Sequence, residues 1–216
     1  MGRLLLFLAT GGVCAAAIVA TGAGARSSAF SCNGTFNNQT FADVDVPASA
    51  VCRMSNDTVT GTITVEGQLF ASTLDVGGDL LSDGGKVVQI DSSTIDGNLK
   101  VKNLHGAPAD QDAVSIVINT IHGFLGVSFN KGGTGDFLVS SNTVDLTENV
   151  SFNTIAGDLA VAAETVTQKM KVNSNTGAGT KEVDGNTSST LITCTSNAPP
   201  FESHGNSAPT VSGQCH

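Results

Sequence analysis

Ser93-Thr94-Ile95-Asp96-Gly97-Asn98-Leu99-Lys100-Val101 and, one unit later, Asn119-Thr120-Ile121-His122-Gly123-Phe124-Leu125-Gly126-Val127 decide the fold. In each, a small polar residue, Thr, an aliphatic, a variable residue and Gly lead into a run whose apolar residues fall on alternate positions. Such a period of two is the mark of a half-buried strand. The phrase returns at Asp57-Thr58-Val59-Thr60-Gly61 and Asn153-Thr154-Ile155-Ala156-Gly157. Looser copies stand at Ser72-Thr73-Leu74, whose Gly78 comes late, and at Asn142-Thr143-Val144, with Leu146 where Gly is expected. Thr-to-Thr spacings along the series are 15, 21, 26, 23 and 11 residues.

Aligned on the Thr, the copies share parity. Ile95, Leu99 and Val101 match Ile121, Leu125 and Val127, and match Ile155, Leu159 and Val161, so these are expected as stacked inward columns. Asp96, Asn98 and Lys100 fall with His122, Phe124 and Gly126 and with Ala156, Asp158 and Ala160 on the outside. A second apolar stretch precedes several copies: Val87–Ile90, Val114–Ile118 and Phe137–Val139. A unit of about 20–25 residues with two or three short strands and no helical period predicts an all-β, single-domain parallel β-solenoid. An antiparallel sandwich also has many short strands, but its copies would not repeat in one sense, and hairpin dipeptides outside the phrase are few. Asn, Ser and Asp before the Thr are expected at the corners, capping backbone groups and tolerating left-handed geometry. Gly is expected where the chain bends into the next strand. About eight coils, at the usual strand spacing, give a stack on the order of 40 Å long.

Composition agrees with a thin aliphatic core: 40% of residues are apolar, yet Trp and Tyr are absent and Phe numbers only 10. The formal net charge of −9 removes the basic footprint that nucleic-acid binding needs. At the N-terminus, Arg3, the apolar run from Leu4 to Ala9, its small-residue continuation and Ala23-Gly24-Ala25 read as a secretory signal peptide over 1–25, with no membrane-spanning segment after cleavage. Cys14 leaves with it. Cys32, Cys52, Cys194 and Cys215 remain, an even number in an exported chain, with a long cysteine-free stretch between Cys52 and Cys194. Residues about one coil apart lie one above the other at a separation a disulfide spans, so Cys32–Cys52 and Cys194–Cys215 are expected to staple the two ends. A metal site is not expected, because there is no CxxC and only His216 stands beside a cysteine. The expected organisation is a signal peptide at 1–25, an N-terminal capping region at 26–56, repeats at 57–194 and an irregular cap at 195–216.

Gly97-Asn98-Leu99-Lys100-Val101 and Gly157-Asp158-Leu159-Ala160-Val161, with the tail Leu191-Ile192-Thr193-Cys194, Asn197-Ala198-Pro199-Pro200, Gly205-Asn206 and Val211-Ser212-Gly213-Gln214-Cys215, resemble secreted repeat proteins of actinobacteria. The likeness runs through the whole exported chain and departs at Gly132-Gly133-Thr134-Gly135 and at Leu146. It implies a secreted β-solenoid and carries over no catalytic residues.

Parallel β-helices often host enzymes that act on acidic polysaccharides, but the residue sets such enzymes carry are absent from this sequence. Asn142-Thr143-Val144-Asp145 is one residue away from an Asn-Thr-Asp element, no Asp-Asp pair exists and no Arg follows Arg53. Asp75, Asp79, Asp96 and Asp158 read as a solvated face, His122 as a surface histidine, and the glycine run lacks the Lys-Ser/Thr of a phosphate loop. The expectation is a secreted or cell-wall-associated, non-catalytic structural or surface-binding module that uses no cofactor. Its partner would be a cell-wall polymer or another surface protein, met through Asp96, Lys100, Lys102, His122 and Phe124, with Phe129 or Phe152 joining the Phe124 ring. The alternative is a pectate lyase-like or hydrolase-like β-helix enzyme. Ice binding would need flat Thr columns, for which only Thr60-Gly61-Thr62-Ile63-Thr64 offers a Thr-x-Thr row.

Overall fold

Alternation along the chain becomes three parallel sheets in the structure, a computed structural model that describes residues 28–199 and 201–216. The signal peptide expected over 1–25, with Cys14, lies outside them. Sheet I has ten strands, from Phe30–Ser31 to Thr210–Gly213; sheet II has nine, from Gly34–Asn37 to Phe201–His204; sheet III has eight, from Thr40–Phe41 to Thr187–Ser188. The chain visits them in the order I, II, III and repeats, giving eight complete coils before a last, partial turn. Every strand pairing is parallel, as the expected solenoid requires. Coil length varies from 14 residues between Phe30 and Val44 to 26 between Leu99 and Leu125, the excess looping out at 105–113.

Inward residues stack as columns of one type. Leu80, Leu99 and Leu125 lie in register in sheet I, Val88, Val114 and Phe137 in sheet II, and Ile95, Ile121 and Val144 in sheet III, all fully buried. Each such side chain contributes roughly 1.5–3 kcal/mol of burial. One expected column is different. Leu159 and Val161 are buried, but in sheet II beside Phe137 and Val139, while Leu125 is followed in sheet I by Glu148. Asn153-Thr154-Ile155 sits at the corner between sheets I and II, whereas Asn119-Thr120-Ile121 and Asn142-Thr143-Val144 sit between II and III. Two corners with one local requirement use one phrase, and the 11-residue spacing is the step between corners.

That requirement is visible in the backbone. Ser92, Ile118, Ser141 and Ala163 at one corner, and Asn103, Phe129, Phe152, Ser174 and Ser196 at the other, have φ between 51° and 60°. The left-handed residue is therefore not the Asn, Ser or Asp before the Thr, as the sequence suggested, but the residue preceding it. The Asn turns inward. Asn119, Asn130, Asn142, Asn153, Asn175 and Asn186 are all buried and form two ladders along the axis. Asn153 is representative: its Oδ1 accepts the Asn130 backbone N–H at 3.1 Å and the Asn130 Nδ2 at 3.0 Å, while its own Nδ2 donates to Val127 O and to Asn175 Oδ1. Gln214 ends this ladder by accepting from Asn197 N at 2.8 Å. Gly97 and Gly123 serve the third corner for a different reason than a bend: neither has positive φ, but a Cβ on either would strike the backbone of the preceding coil.

Both ends are closed. Cys32–Cys52 and Cys194–Cys215 join neighbouring coils with Cα separations of 5.4 and 5.2 Å, as expected. Phe30, Phe36 and Phe41 cluster at the N-terminal end, with ring centroids 4.6–5.8 Å apart. The tail is more regular than its Pro and Gly content suggests: Phe201–His204 and Thr210–Gly213 continue sheets II and I, with Gly205 and Pro209 between them.

Asn153→Ala strands the Asn130 amides and the Val127 carbonyl inside the stack. At about 1–3 kcal/mol per orphaned buried group, chemical denaturation is expected to show a loss of roughly 2–4 kcal/mol, against under about 0.5 kcal/mol for the exposed neighbour Thr154→Ala.

Candidate functional site

The three outward faces differ in chemistry, and the five surface candidates fall on two of them. Sheet III carries a column of Thr40, Thr58, Asp75, Thr94, Thr120, Thr143, Thr165 and Thr187 in register. Two residues further on in each coil runs a second row holding Asp96, His122 and Asp145. His122 Nδ1 lies 2.7 Å from Asp145 Oδ2, both side chains about half exposed. The Asp145 hydrogen bond holds the imidazole above its ordinary value, and the Asp96 charge adds to the effect. The sequence reading aligned Thr58, Thr94, Thr120 and Thr143 of this column but missed Thr40, Thr165 and Thr187, and it mixed in Thr73, a left-handed corner residue, and Thr154 from another corner. It is not a flat Thr-x-Thr array, since the charged row occupies the second position.

Lys100, Lys102 and Phe124 belong to sheet I. Lys102 Nζ pairs with Asp83 at 2.8 Å, and Lys102 and Asn103 hold the Asp83 carboxyl below its usual range. Lys100 Nζ sits 5.9 Å from the centre of the Phe124 ring, which covers the α-carbon of Gly126. The expected company of Phe129 or Phe152 is not there. Those two rings stack on each other at the corner between sheets I and II, 5.0 Å apart and 2° from parallel, because they occupy the same left-handed position in successive coils. Thr64, Glu66, Leu81, Asp83, Lys100 and Lys102 line a recess of about 390 Å³ on this face. Lys171 and Lys169 lie on the same sheet and were missed, since their run, Lys169–Asn173, does not follow a Thr-x-x-Gly phrase.

Sheet II is acidic along one border. Asp112, Asp136 and Asp158 stack there, each accepting the backbone N–H of the next coil, from Asp136, Asp158 and Thr180 at 2.7–2.9 Å. Asp79 does the same for Asn98. Asp79 and Asp158 are therefore coil-to-coil caps as well as solvated charges, unlike Asp75 and Asp96, whose role stays at the surface. Nearer the N-terminal end, Arg53 lies 4.2 Å over the Phe70 ring beside a recess of about 330 Å³.

The strongest electrostatic anomaly is inside. Glu148 replaces an aliphatic in the sheet I column between Leu125 and Met170, and Glu164 replaces Asn in the ladder between Asn142 and Asn186. Both are buried. Glu164 Oε1 accepts from Asn142, while Glu164 Oε2 and both Glu148 oxygens have no partner unless a proton lies between the two carboxyls. Burial pushes Glu148 up to about 7, against the opposing hydrogen bond with Glu164. Burial and then the Glu148 charge push Glu164 well above the carboxylate range. Lys181, also at an inward position, donates to Gly179 O at 2.6 Å, and burial lowers its ammonium.

Among the described residues, no three His, Cys, Asp or Glu side chains come together as metal ligands, and no helix is long and apolar enough to cross a membrane. No protein-family model, curated protein or solved structure matches the chain.

A carboxyl whose folded pKa is raised favours the folded state at low pH and loses that contribution as pH climbs through the folded value. Stability is therefore expected to fall as pH rises from the ordinary carboxylate range through about 7, where Glu148 ionises, and to keep falling as Glu164 follows. Glu148→Leu with Glu164→Asn, which restores both columns, is expected to flatten denaturation midpoints over that range and raise stability at pH 8. An unchanged slope in the double variant places the pH dependence elsewhere.

Proposed function

We propose that the protein is an exported, non-catalytic β-solenoid whose rigid outer faces serve as a structural or surface-binding module. The observation that carries this reading is the separation of its titratable groups. The strongly perturbed carboxyls, Glu148 and Glu164, are sealed in the core, while the His122–Asp145 pair stands half exposed on an open face. Catalysis needs such groups convergent on a space that a substrate enters. Two disulfides support an oxidising destination, in keeping with the leader-like segment at 1–25. The resemblance to secreted actinobacterial repeat proteins agrees with attachment at, or release from, a cell surface.

Assay of the purified protein against pectic, uronic and cell-wall glycans is expected to show no turnover. A rate that disappears in His122→Ala or Asp145→Asn replaces this reading with a polysaccharide-active enzyme.

A further inference from the structure

Charge on the solenoid is sorted by face. Of the eight Lys and Arg among the described residues, Lys100, Lys102, Lys169 and Lys171 point outward from sheet I. The sheet I strands from Leu80–Asp83 to Lys169–Asn173 hold one outward acid, Asp83, which Lys102 neutralises. The border and face of sheet II carry Asp91, Asp112, Asp136, Asp158, Glu182 and Asp184, and sheet III carries Asp75, Asp96 and Asp145. A net charge of −9 thus hides one basic stretch of sheet I, bounded at its N-terminal end by Asp45 and by Glu66 in the recess. At physiological salt, screening over about 8 Å lets that face act locally.

Its layout is linear. Lys100, Gly126, Asn149 and Lys171 are successive register partners, so the two lysine pairs stand three coils, roughly 14 Å, apart along the axis. Between them the floor is low and polar: Gly126, Ser128 and Asn149, with the half-buried Phe124 ring set against Gly126. At the Lys100 end opens the recess of about 390 Å³. Lysine presents point charges that suit scattered carboxylates, whereas tight phosphate recognition favours the guanidinium fork, which is absent from this face. A flat ring suits the C–H face of a sugar, and Asn149, Ser128 and Thr193 offer partners to sugar hydroxyls.

Building on the non-catalytic reading above, we propose that sheet I binds a linear, carboxylate-bearing polysaccharide lying along the solenoid axis, from Lys100 and Lys102 to Lys169 and Lys171, with Phe124 under one sugar ring. The two ammonium pairs meet such a chain at its carboxylates roughly 14 Å apart, and the polar floor between them faces its hydroxyls.

The test is fluorescence anisotropy of a labelled linear oligouronate with the purified protein, against a neutral oligosaccharide of equal length and a polyphosphate. Saturable, salt-sensitive binding of the oligouronate is expected, weakened roughly tenfold or more in Lys100→Glu/Lys171→Glu and also in Phe124→Ala. Lys131→Glu, an exposed charge reversal at the corner off this face, is expected to leave it nearly unchanged, with all variants matching in circular dichroism. No binding, equal binding of the neutral sugar, tighter binding of polyphosphate, or indifference to the sheet I lysines overturns the proposal. Cleavage of the oligouronate with lysine-dependent binding supports the face while overturning the non-catalytic reading. Indifference to the lysines without cleavage does the reverse.

Discussion

The fold depends on satisfying the corner amides that a three-sided coil turns toward its own interior. A strand that ends at a sharp corner leaves N–H and C=O groups without ladder partners, and an unpartnered buried amide costs more than most contacts return. From Asn119 onward the remedy recurs at two corners: a left-handed residue, then a buried side-chain amide that bonds the backbone of the preceding coil and the side chain of the next, with Glu164 in one of these places, while Asp57 and Ser93 cap earlier corners with an oxygen. The asparagines act as a rail along each corner, and their spacing holds the coils in register.

Much follows from that rail. Because each coil is fixed by its corners, the strands between need only present aliphatics inward, and their lengths and loops vary freely. The left-handed site tolerates poor residues, Ile118, Phe129 and Phe152 among them, although non-glycine residues there are strained by about 1–2 kcal/mol. Phe129 and Phe152 offset some of this by stacking. Glu164 is the instructive break. Sitting in the rail at an Asn position, it donates no side-chain hydrogen bond unless protonated, and it faces Glu148, which breaks the aliphatic column beside it. Two irregular residues in neighbouring columns make one acid-stabilised layer in the stack. The outward strand positions are free of the corner requirement, and the three faces present basic, acidic and hydroxyl-rich surfaces.

Sheet class, parallel stacking and both disulfides were legible because alternation and cysteine spacing are local or nearly local signals. Coil phase was not. Thr followed by an aliphatic marks two corners, so a linear alignment placed Ile155, Leu159 and Val161 one strand out of step with Ile121, Leu125 and Val127. The corner Asn was correctly read as a cap, but its burial was hidden, because an exposed Ile118 or Phe129 precedes it and reads as part of the apolar run. The Lys169 and Lys171 pair joins Lys100 and Lys102 only through register across coils of 22 to 26 residues, which no local pattern reports. The Glu148–Glu164 contact is likewise a product of two columns meeting in space.

Hydrogen exchange followed by nuclear magnetic resonance addresses the rail directly. If the buried amides hold the coils together, the backbone N–H of Asn119, Asn130, Asn142, Asn153 and Asn175, each bonded to a side-chain oxygen of the next coil, exchange only through global unfolding, as slowly as the strand centres. Exchange of these corner amides at the fast rate of solvent-exposed turns, with the strands still protected, would contradict the account.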